Sequence, residues 1–530
     1  MQEFEYSLEA YGLTGPKVFR NLPPAKLYEE AILYDAGAAV ADSGALAAYS
    51  GRKTGRSPLD KRVVKNPDSE EEIWWGPVNV PLDPHAFLVN RERALDYLNT
   101  RPRLYVVDAF AGWDPAYRLK VRIIASRPYH ALFMTNMLIR PSEEGLRTFG
   151  EPTWTVFNAG AFPANRHTTG MTSKTSLDLN LESREFVILG TEYAGEMKKA
   201  VFTLMNWLMP ARGALSMHAA ATEDPRSGSV AILFGLSGTG KTSLGIDSTR
   251  LTIGDDEIVW AEDGVFNVEG GCYAATGKLS AAEEPEIAAS LRFGALLENV
   301  LFEPRTRRVD WQNTSITVNT RGAFPIDFLS TAKLPCRGPH PNQIIFLTCD
   351  AYGVLPPVAK LTHEEAIYHF LAGYTAKVGG TEDGVTVPQA TFSPCFGAPF
   401  LLLPPRNYAT LFAEKLAAHD CEVWMLNTGW FGGPVGKGRR FTLAESRAML
   451  HAIYSGALAE APTEPLERFR MSRVTEIPGF PSQTCDPRSC WPDPEPYDRA
   501  AAQLADRFDK HMESYAHDAA AVAKLLPTRT

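Results

Sequence analysis

No stretch of this chain approaches the run of about eighteen apolar residues that a membrane-spanning helix needs, since even Phe396 to Leu403 stops at Pro404 and Pro405. The N-terminus carries Glu3, Glu5 and Glu9 and has no apolar core of signal-peptide length, so a soluble, cytoplasmic, non-exported protein is expected. Cysteine is scarce: the seven residues Cys272, Cys336, Cys349, Cys395, Cys421, Cys485 and Cys490 are scattered, odd in number and never in C-x-x-C spacing. That pattern predicts reduced thiols and no structural zinc. There is no excess of positive charge either. A formal net charge of −9 argues against a wide basic face for nucleic acid, so any anion site must be local. With 45% hydrophobic and 22% charged residues, composition excludes a disordered or fibrous chain, and 530 residues allow two or more domains. No internal repeat is detectable.

What is present centres on Val230-Ala231-Ile232-Leu233-Phe234, five apolar residues too short for a helix and rich in β-formers, running into Gly235-Leu236-Ser237-Gly238-Thr239-Gly240-Lys241-Thr242. This is a predicted buried strand, a G-x-x-x-x-G-K-T turn and a following helix. A polyphosphate needs several backbone N–H groups converging on it, which Gly235, Gly238 and Gly240 allow by having no Cβ in the way. The helix start adds its positive end, Lys241 a full charge at the β/γ-phosphates, and the Thr242 hydroxyl a ligand for the nucleotide's Mg²⁺. A second strand, Leu251-Thr252-Ile253-Gly254, ends in Asp255-Asp256-Glu257, where a metal-holding acid belongs.

Ahead of this core the chain alternates strand, loop and helix, with strands predicted at Leu104 to Val107, Leu119 to Ile124 and Glu185 to Leu189, so it reads as mixed α/β. The loop Thr54 to Lys61 reads as a solvated turn or as an Arg, Arg56, presented to a carboxylate or phosphate. Met197, Val201, Leu204, Met205 and Leu208 recur at helical spacing until Pro210. Lys198 and Lys199 lie off that stripe and are ordinarily surface charge. Two adjacent cations beside an already positive helix start nevertheless call for something negative nearby. Ala214 to Ala221 alternates like a strand, and its His218 reads as a hydrogen-bonded core residue before a ligand. Further on, Glu283, Glu284 and Glu286 open a helix, Asn319 to Pro325 places Arg321 in a loop, and Gln343 to Thr348 is a strand. Gly432 to Arg440 is too glycine-rich for a core element, 462 to 496 is a proline-rich loop or strap, and 497 to about 525 is a closing helix.

Thr54 to Lys61, Tyr193 with Gly195 to Lys199, Ser216-Met217-His218, Gly235 to Thr242, Gly254 to Glu257, Gly264 to Tyr273, Asn319 to Arg321, Gly353 to Val358 and Asn427 to Trp430 together resemble ATP-dependent phosphoenolpyruvate carboxykinase. They keep that family's order and spacing over nearly the whole chain. The resemblance implies a lyase of gluconeogenesis that converts oxaloacetate and ATP to phosphoenolpyruvate, ADP and CO₂. It implies two α/β domains, a substrate-side domain over 1–213 and a P-loop mononucleotide-binding domain over 214–530, with the active site in the cleft between them. By the family's pattern Lys199, His218 and Asp256 hold Mn²⁺, which requires Lys199 to be neutral, a state that the metal and Lys198 both favour. Thr242 binds Mg²⁺, Asp255 orients waters in the metal shells, Lys241 neutralises charge as the phosphoryl group transfers, Ser237 in the phosphate loop also faces the organic substrate, and Arg56, Tyr193 and Arg321 bind oxaloacetate. Nucleotide contacts are implied for Gly235, Leu236, Ser237, Gly238, Thr239, Gly240, Lys241, Thr242, Glu286, Arg321, Arg440, Phe441 and Ser446. Phe441 stands where the family has an aliphatic residue and Ser446 where it has Thr, and the loop containing Phe431 and Pro434-Val435 is longer than usual. The rival GTP-dependent carboxykinase carries a reactive Cys in its phosphate loop, and none lies between Gly235 and Thr242. A P-loop protein kinase or nucleotide switch would leave Arg56, Tyr193 and Arg321 without a role. The implied partners are small molecules only, with no nucleic acid and no membrane, and the implied state is a monomer.

Overall fold

In the computed structural model, which describes residues 6–377 and 389–515, the chain divides into two compact units. One comprises Met1–Trp207, Asn267–Ala332 and Pro399–Leu403, the other Leu208–Phe266, Lys333–Ala398 and Pro404–Thr530. Each unit is assembled from three separate stretches of the chain.

The first unit holds an eight-stranded sheet in the order Lys17–Arg20, Arg103–Ala111, Leu119–Ala125, Trp154–Ala159, Glu185–Leu189, Ser176–Asn180, Lys61–Val64 and Val80–Leu82. The predicted strands at 104–107, 119–124 and 185–189 all lie within it. Helix Pro84–Asn99 starts on Asp83, whose carboxylate accepts the amides of His85 and Ala86. Its apolar face, Ala86, Phe87, Ala94, Leu95 and Leu98, packs with Leu104, Ile124, Phe157 and Val187 of the sheet. Helix Pro128–Met137 is buried on nearly every side and touches this sheet and a five-stranded one containing Gly271–Ala275, Arg321–Pro325 and Leu296–Glu298. A helix covered all round carries no amphipathic period. Arg321, expected in a loop, is the first residue of a strand, because it pairs with Ala275 on one side and Glu298 on the other.

The second unit is built on a larger sheet whose centre, Val230–Phe234, Pro341–Thr348 and Glu422–Asn427, is parallel. Val230 to Phe234 is buried at every position, which is why it reads as an unbroken apolar run. Leu215–Glu223 flanks it antiparallel and also pairs with Leu251–Gly254 and Glu257–Ala261. Helices His363–Ala372 and Leu443–Tyr454 each begin with a capping box, Thr362/Glu365 and Thr442/Glu445. The expected strap at 462–496 is partly regular: Thr463–Leu466 and Met471–Val474 form a hairpin at the sheet's edge, where prolines are tolerated. The closing helix spans Pro494–Glu513, and the remainder of the predicted helix lies outside the described residues. Among the described residues no disulfide joins the cysteines, and no helix is long and apolar enough to cross a membrane.

One buried acid makes the first unit's stability pH-dependent. Asp178, on Ser176–Asn180, accepts the Asn90 amide at 2.6 Å and the Ser176 hydroxyl, and burial pushes its carboxyl up to about 6. The folded state therefore holds a proton that the unfolded chain has released, so stability from this group is lost as pH rises from about 4 to about 6. The loss is at most about 3 kcal/mol. Asp178→Asn should flatten that part of the profile of urea midpoint against pH; an unchanged slope would exclude Asp178 as its source.

Candidate active site

Because the three central strands of the second unit are parallel, Gly235, Cys349 and Thr428 emerge together at their carboxyl ends, where open α/β sheets bind ligands. Gly235 has no room for a side chain: a Cβ would stand 2.4 Å from Thr239 Oγ1. Gly238 and Gly240 have φ of 86° and 90°, the left-handed region that glycine adopts freely. The Thr239 hydroxyl donates to the Leu236 carbonyl at 2.8 Å, Thr428 to that of Thr239 at 2.9 Å, and Arg440 to that of Gly238 at 2.7 Å. With these carbonyls engaged by side chains, the loop presents its amides to an approaching anion. Ser237 is exposed at the tip. The helix that follows is short, Lys241–Gly245, so Lys241 contributes more positive charge there than the macrodipole does.

Strand pairing sets Glu257 opposite His218, which brings the adjacent Asp256 to the imidazole. Asp256 Oδ1 lies 2.7 Å from Lys241 Nζ and 3.1 Å from His218 Nε2. His218 Nδ1 is 2.9 Å from the Phe396 carbonyl, which can only accept, so Nδ1 carries the proton. Cys395 and Phe396 both have φ of 55°, unusual for residues with side chains, and this turn is what presents the carbonyl. The Thr242 hydroxyl donates to Asp255 Oδ2 at 3.3 Å. His218, Asp256, Lys241 and Thr242, which the resemblance assigns to the nucleotide and its metals, thus all lie in one unit. His218 is half-buried, with Nδ1 at a backbone carbonyl and Nε2 facing a carboxylate.

A second cluster lies in the first unit. Asn319, which sequence reasoning quoted without a role, joins it: its amide donates to the Tyr193 hydroxyl at 3.2 Å and the Thr54 carbonyl at 2.7 Å, while its oxygen accepts Arg321 Nε at 2.9 Å. Arg56 is exposed, yet the loop carrying it is no free turn. Ser57 N–H donates to the buried Glu196 carboxylate at 2.6 Å, and the Lys61 ammonium donates to the Pro399 carbonyl at 2.6 Å. Burial pushes Glu196 up to about 7 and Lys61 down to about 7, with Arg56 opposing the first shift and adding to the second. Arg56 and Lys199 both stand over the Phe400 ring, at 4.8 and 4.7 Å. Lys198 is not surface charge: it is buried, with its Nζ 3.0 Å from Glu269. The negative group called for at this helix start is present, though nothing near Lys198 in sequence could have named it.

A family model of phosphoenolpyruvate carboxykinase, of the ATP type, matches residues 16–483. The chain is 58% identical over 526 residues to "Phosphoenolpyruvate carboxykinase (ATP) 2" of Salinibacter ruber, covering 99% of both chains. It is 53% identical to "Phosphoenolpyruvate carboxykinase (ATP)" of Candida glabrata, covering 94% of this chain and 92% of the relative, and 51% identical to "Phosphoenolpyruvate carboxykinase (ATP) 1" of Arabidopsis thaliana, covering 94% and 75%. The chain belongs to the ATP-dependent phosphoenolpyruvate carboxykinase family.

The structure also places the residues that the resemblance assigns to nucleotide contacts. Trp430–Phe431 pairs with Arg439–Arg440, so the glycine-rich run is the turn of a hairpin. Phe431 and Phe441 stack with centroids 4.5 Å apart, and Arg439 lies 4.2 Å from the Phe431 ring. Phe441 is buried in the core beside Leu244 and Met449. The Ser446 hydroxyl donates to the Thr442 carbonyl at 3.0 Å within its own helix. Glu286 belongs to the first unit and accepts the Ser330 hydroxyl at 2.6 Å.

Proposed function

We propose that this chain catalyses the conversion of oxaloacetate and ATP to phosphoenolpyruvate, ADP and CO₂, decarboxylation to an enolate being followed by phosphoryl transfer. The observation that carries the reading is the convergence of Lys241 and His218 on one carboxylate, Asp256, beside the glycine-rich loop. The donor set suits a divalent cation: an imidazole nitrogen and a carboxylate oxygen are ligand types such ions take, and the Phe396 carbonyl orients the His218 ring through its other nitrogen. Lys199, His218 and Asp256 would hold Mn²⁺, and Thr242 would hold the nucleotide's Mg²⁺, with Asp255 fixing the hydroxyl. Bound ions supply positive charge to the enolate oxygen and the phosphates.

The chain's own groups do the remainder. The loop amides from Gly235 to Thr242 bind the phosphates and Lys241 stabilises the charge of the transferring group, while Ser237 meets the organic substrate at the exposed tip. Arg56, Tyr193 and Arg321 hold the four-carbon diacid, whose two carboxylates suit two guanidinium groups, that of Arg321 oriented by Asn319 and that of Arg56 carried on a loop tied down by Ser57–Glu196. Lys198, paired with Glu269, keeps positive charge next to Lys199. Arg440, Phe441, Ser446 and Glu286 complete the nucleotide contacts. The test follows nucleotide consumption and CO₂ release with and without oxaloacetate. Turnover that requires oxaloacetate and releases CO₂ is expected, whereas hydrolysis indifferent to oxaloacetate, with no CO₂, would favour a kinase or switch.

A further inference from the structure

We propose that Glu298 is a positioning residue for the diacid-binding cluster: through the Ala194 amide and the Tyr273 hydroxyl it fixes Tyr193, Arg321 and the head of the lysine-bearing helix. No motif in the sequence points to it, and the proposal rests on the reading that this cluster holds oxaloacetate.

Glu298 ends the strand Leu296–Glu298, where it pairs with Arg321 on one side and Ala48 on the other, and it is 1% exposed. Oε1 accepts the Ala194 N–H at 3.0 Å, and Oε2 accepts the hydroxyl of Tyr273. Ala194 lies between Tyr193 and Gly195, the first residue of helix Gly195–Leu208, so that bond ties Glu298 to the turn from which both Tyr193 and the two lysines are directed.

Tyr273 is the other arm. Its ring centroid lies 5.6 Å from the Arg321 guanidinium, 5.9 Å from Lys198 Nζ and 6.3 Å from the Tyr193 ring. The helix start is closely packed against these rings: a Cβ on Gly195 would come within 2.7 Å of Tyr193 Cε1 and 3.3 Å of Tyr273 Cε1, so it is chiefly the Tyr193 ring that requires glycine there. Burial pushes the carboxyl of Glu298 and the phenol of Tyr273 upward, so this carboxylate is held where solvent gives it no help and its donors must be in place. The next residue, Asn299, has φ of 62°, and its side chain exchanges hydrogen bonds with the Ser50 N–H and hydroxyl at 2.9 Å each. The strand therefore stops at Glu298 and is pinned there. Ser50 in turn donates to the Lys53 carbonyl at 2.8 Å, at the start of the segment that bears Arg56.

The experiment compares Glu298→Gln and Tyr273→Phe with the wild-type full-length chain, measuring KM for oxaloacetate, KM for ATP, kcat and Tm. Each variant is expected to raise KM for oxaloacetate by about tenfold or more, with KM for ATP unchanged within about twofold and Tm nearly retained. Combining them should give less than the product of the two single effects, since the Glu298–Tyr273 hydrogen bond is shared by both variants. A merely structural carboxylate would move both KM values together with Tm, and that outcome overturns the proposal, as does an unchanged KM for oxaloacetate. Should Glu298→Gln fail to fold, Tyr273→Phe decides by the same criteria. A wild type without oxaloacetate-dependent turnover removes the activity reading and this assignment with it, whereas an active wild type with unaffected variants removes Glu298 alone.

Discussion

Replacing Lys241 with Met is expected to lower kcat by about a thousandfold while KM for ATP changes by less than about tenfold. The ammonium is nearly buried and lies 2.7 Å from Asp256, so its charge acts where water screens it little. Binding of the triphosphate is shared among the amides of a loop whose shape is set by Gly235, Gly238, Gly240 and the hydroxyls of Thr239 and Thr428. None of those depends on the lysine side chain. What is lost is charge at the transferring phosphoryl group, an interaction stronger in the transition state than in the ground state, and such losses appear in kcat. Met keeps the length of the stem, which limits repacking. Steady-state kinetics with saturating oxaloacetate checks this, and a kcat within about tenfold of wild type would remove Lys241 from the transfer step.

How far each part could be read in advance follows from how local its chemistry is. The glycine-rich loop was legible because strand, turn and lysine are contiguous, and a strand buried on both faces shows as an unbroken apolar run. Helix Pro128–Met137 gave no signal for the opposite reason: enclosed on all sides, it has no polar face and hence no period. The hairpins at 430–440 and 463–474 were hidden by glycine and proline, residues that mark loops in most settings and are here accommodated at turns and at a sheet edge. Asp256 could be suspected from its place after a strand, but its meeting with His218 depends on register between strands far apart in sequence. Asn319, Glu196, Glu269 and Glu298 were still less accessible. Each acts by accepting or donating to a residue far away in the chain, and family resemblance supplied Arg56, Tyr193 and Arg321 without the groups that hold them.

Those holding groups decide what happens when the diacid cluster is altered. Arg321→Lys is expected to reduce kcat/KM for oxaloacetate by about a hundredfold or more, although charge is conserved. Arg321 uses Nε to donate to Asn319 Oδ1 at 2.9 Å, and Asn319 spends its amide on Tyr193 and Thr54. One edge of the guanidinium is therefore committed to orientation, and its two terminal nitrogens remain to make paired bonds to a carboxylate. A lysine at the head of the same strand supplies one charge without the fork, and it leaves the Asn319 oxygen without its guanidinium donor, which loosens Tyr193 as well. The loss should therefore exceed that of a single hydrogen bond and should appear for oxaloacetate and phosphoenolpyruvate alike, with KM for ATP less affected. Kinetics in both directions of the reaction measures it. A variant whose defect is confined to the nucleotide would place Arg321 on the nucleotide and not on the diacid. A defect in neither would show that the Asn319 network is scaffolding for the strand alone.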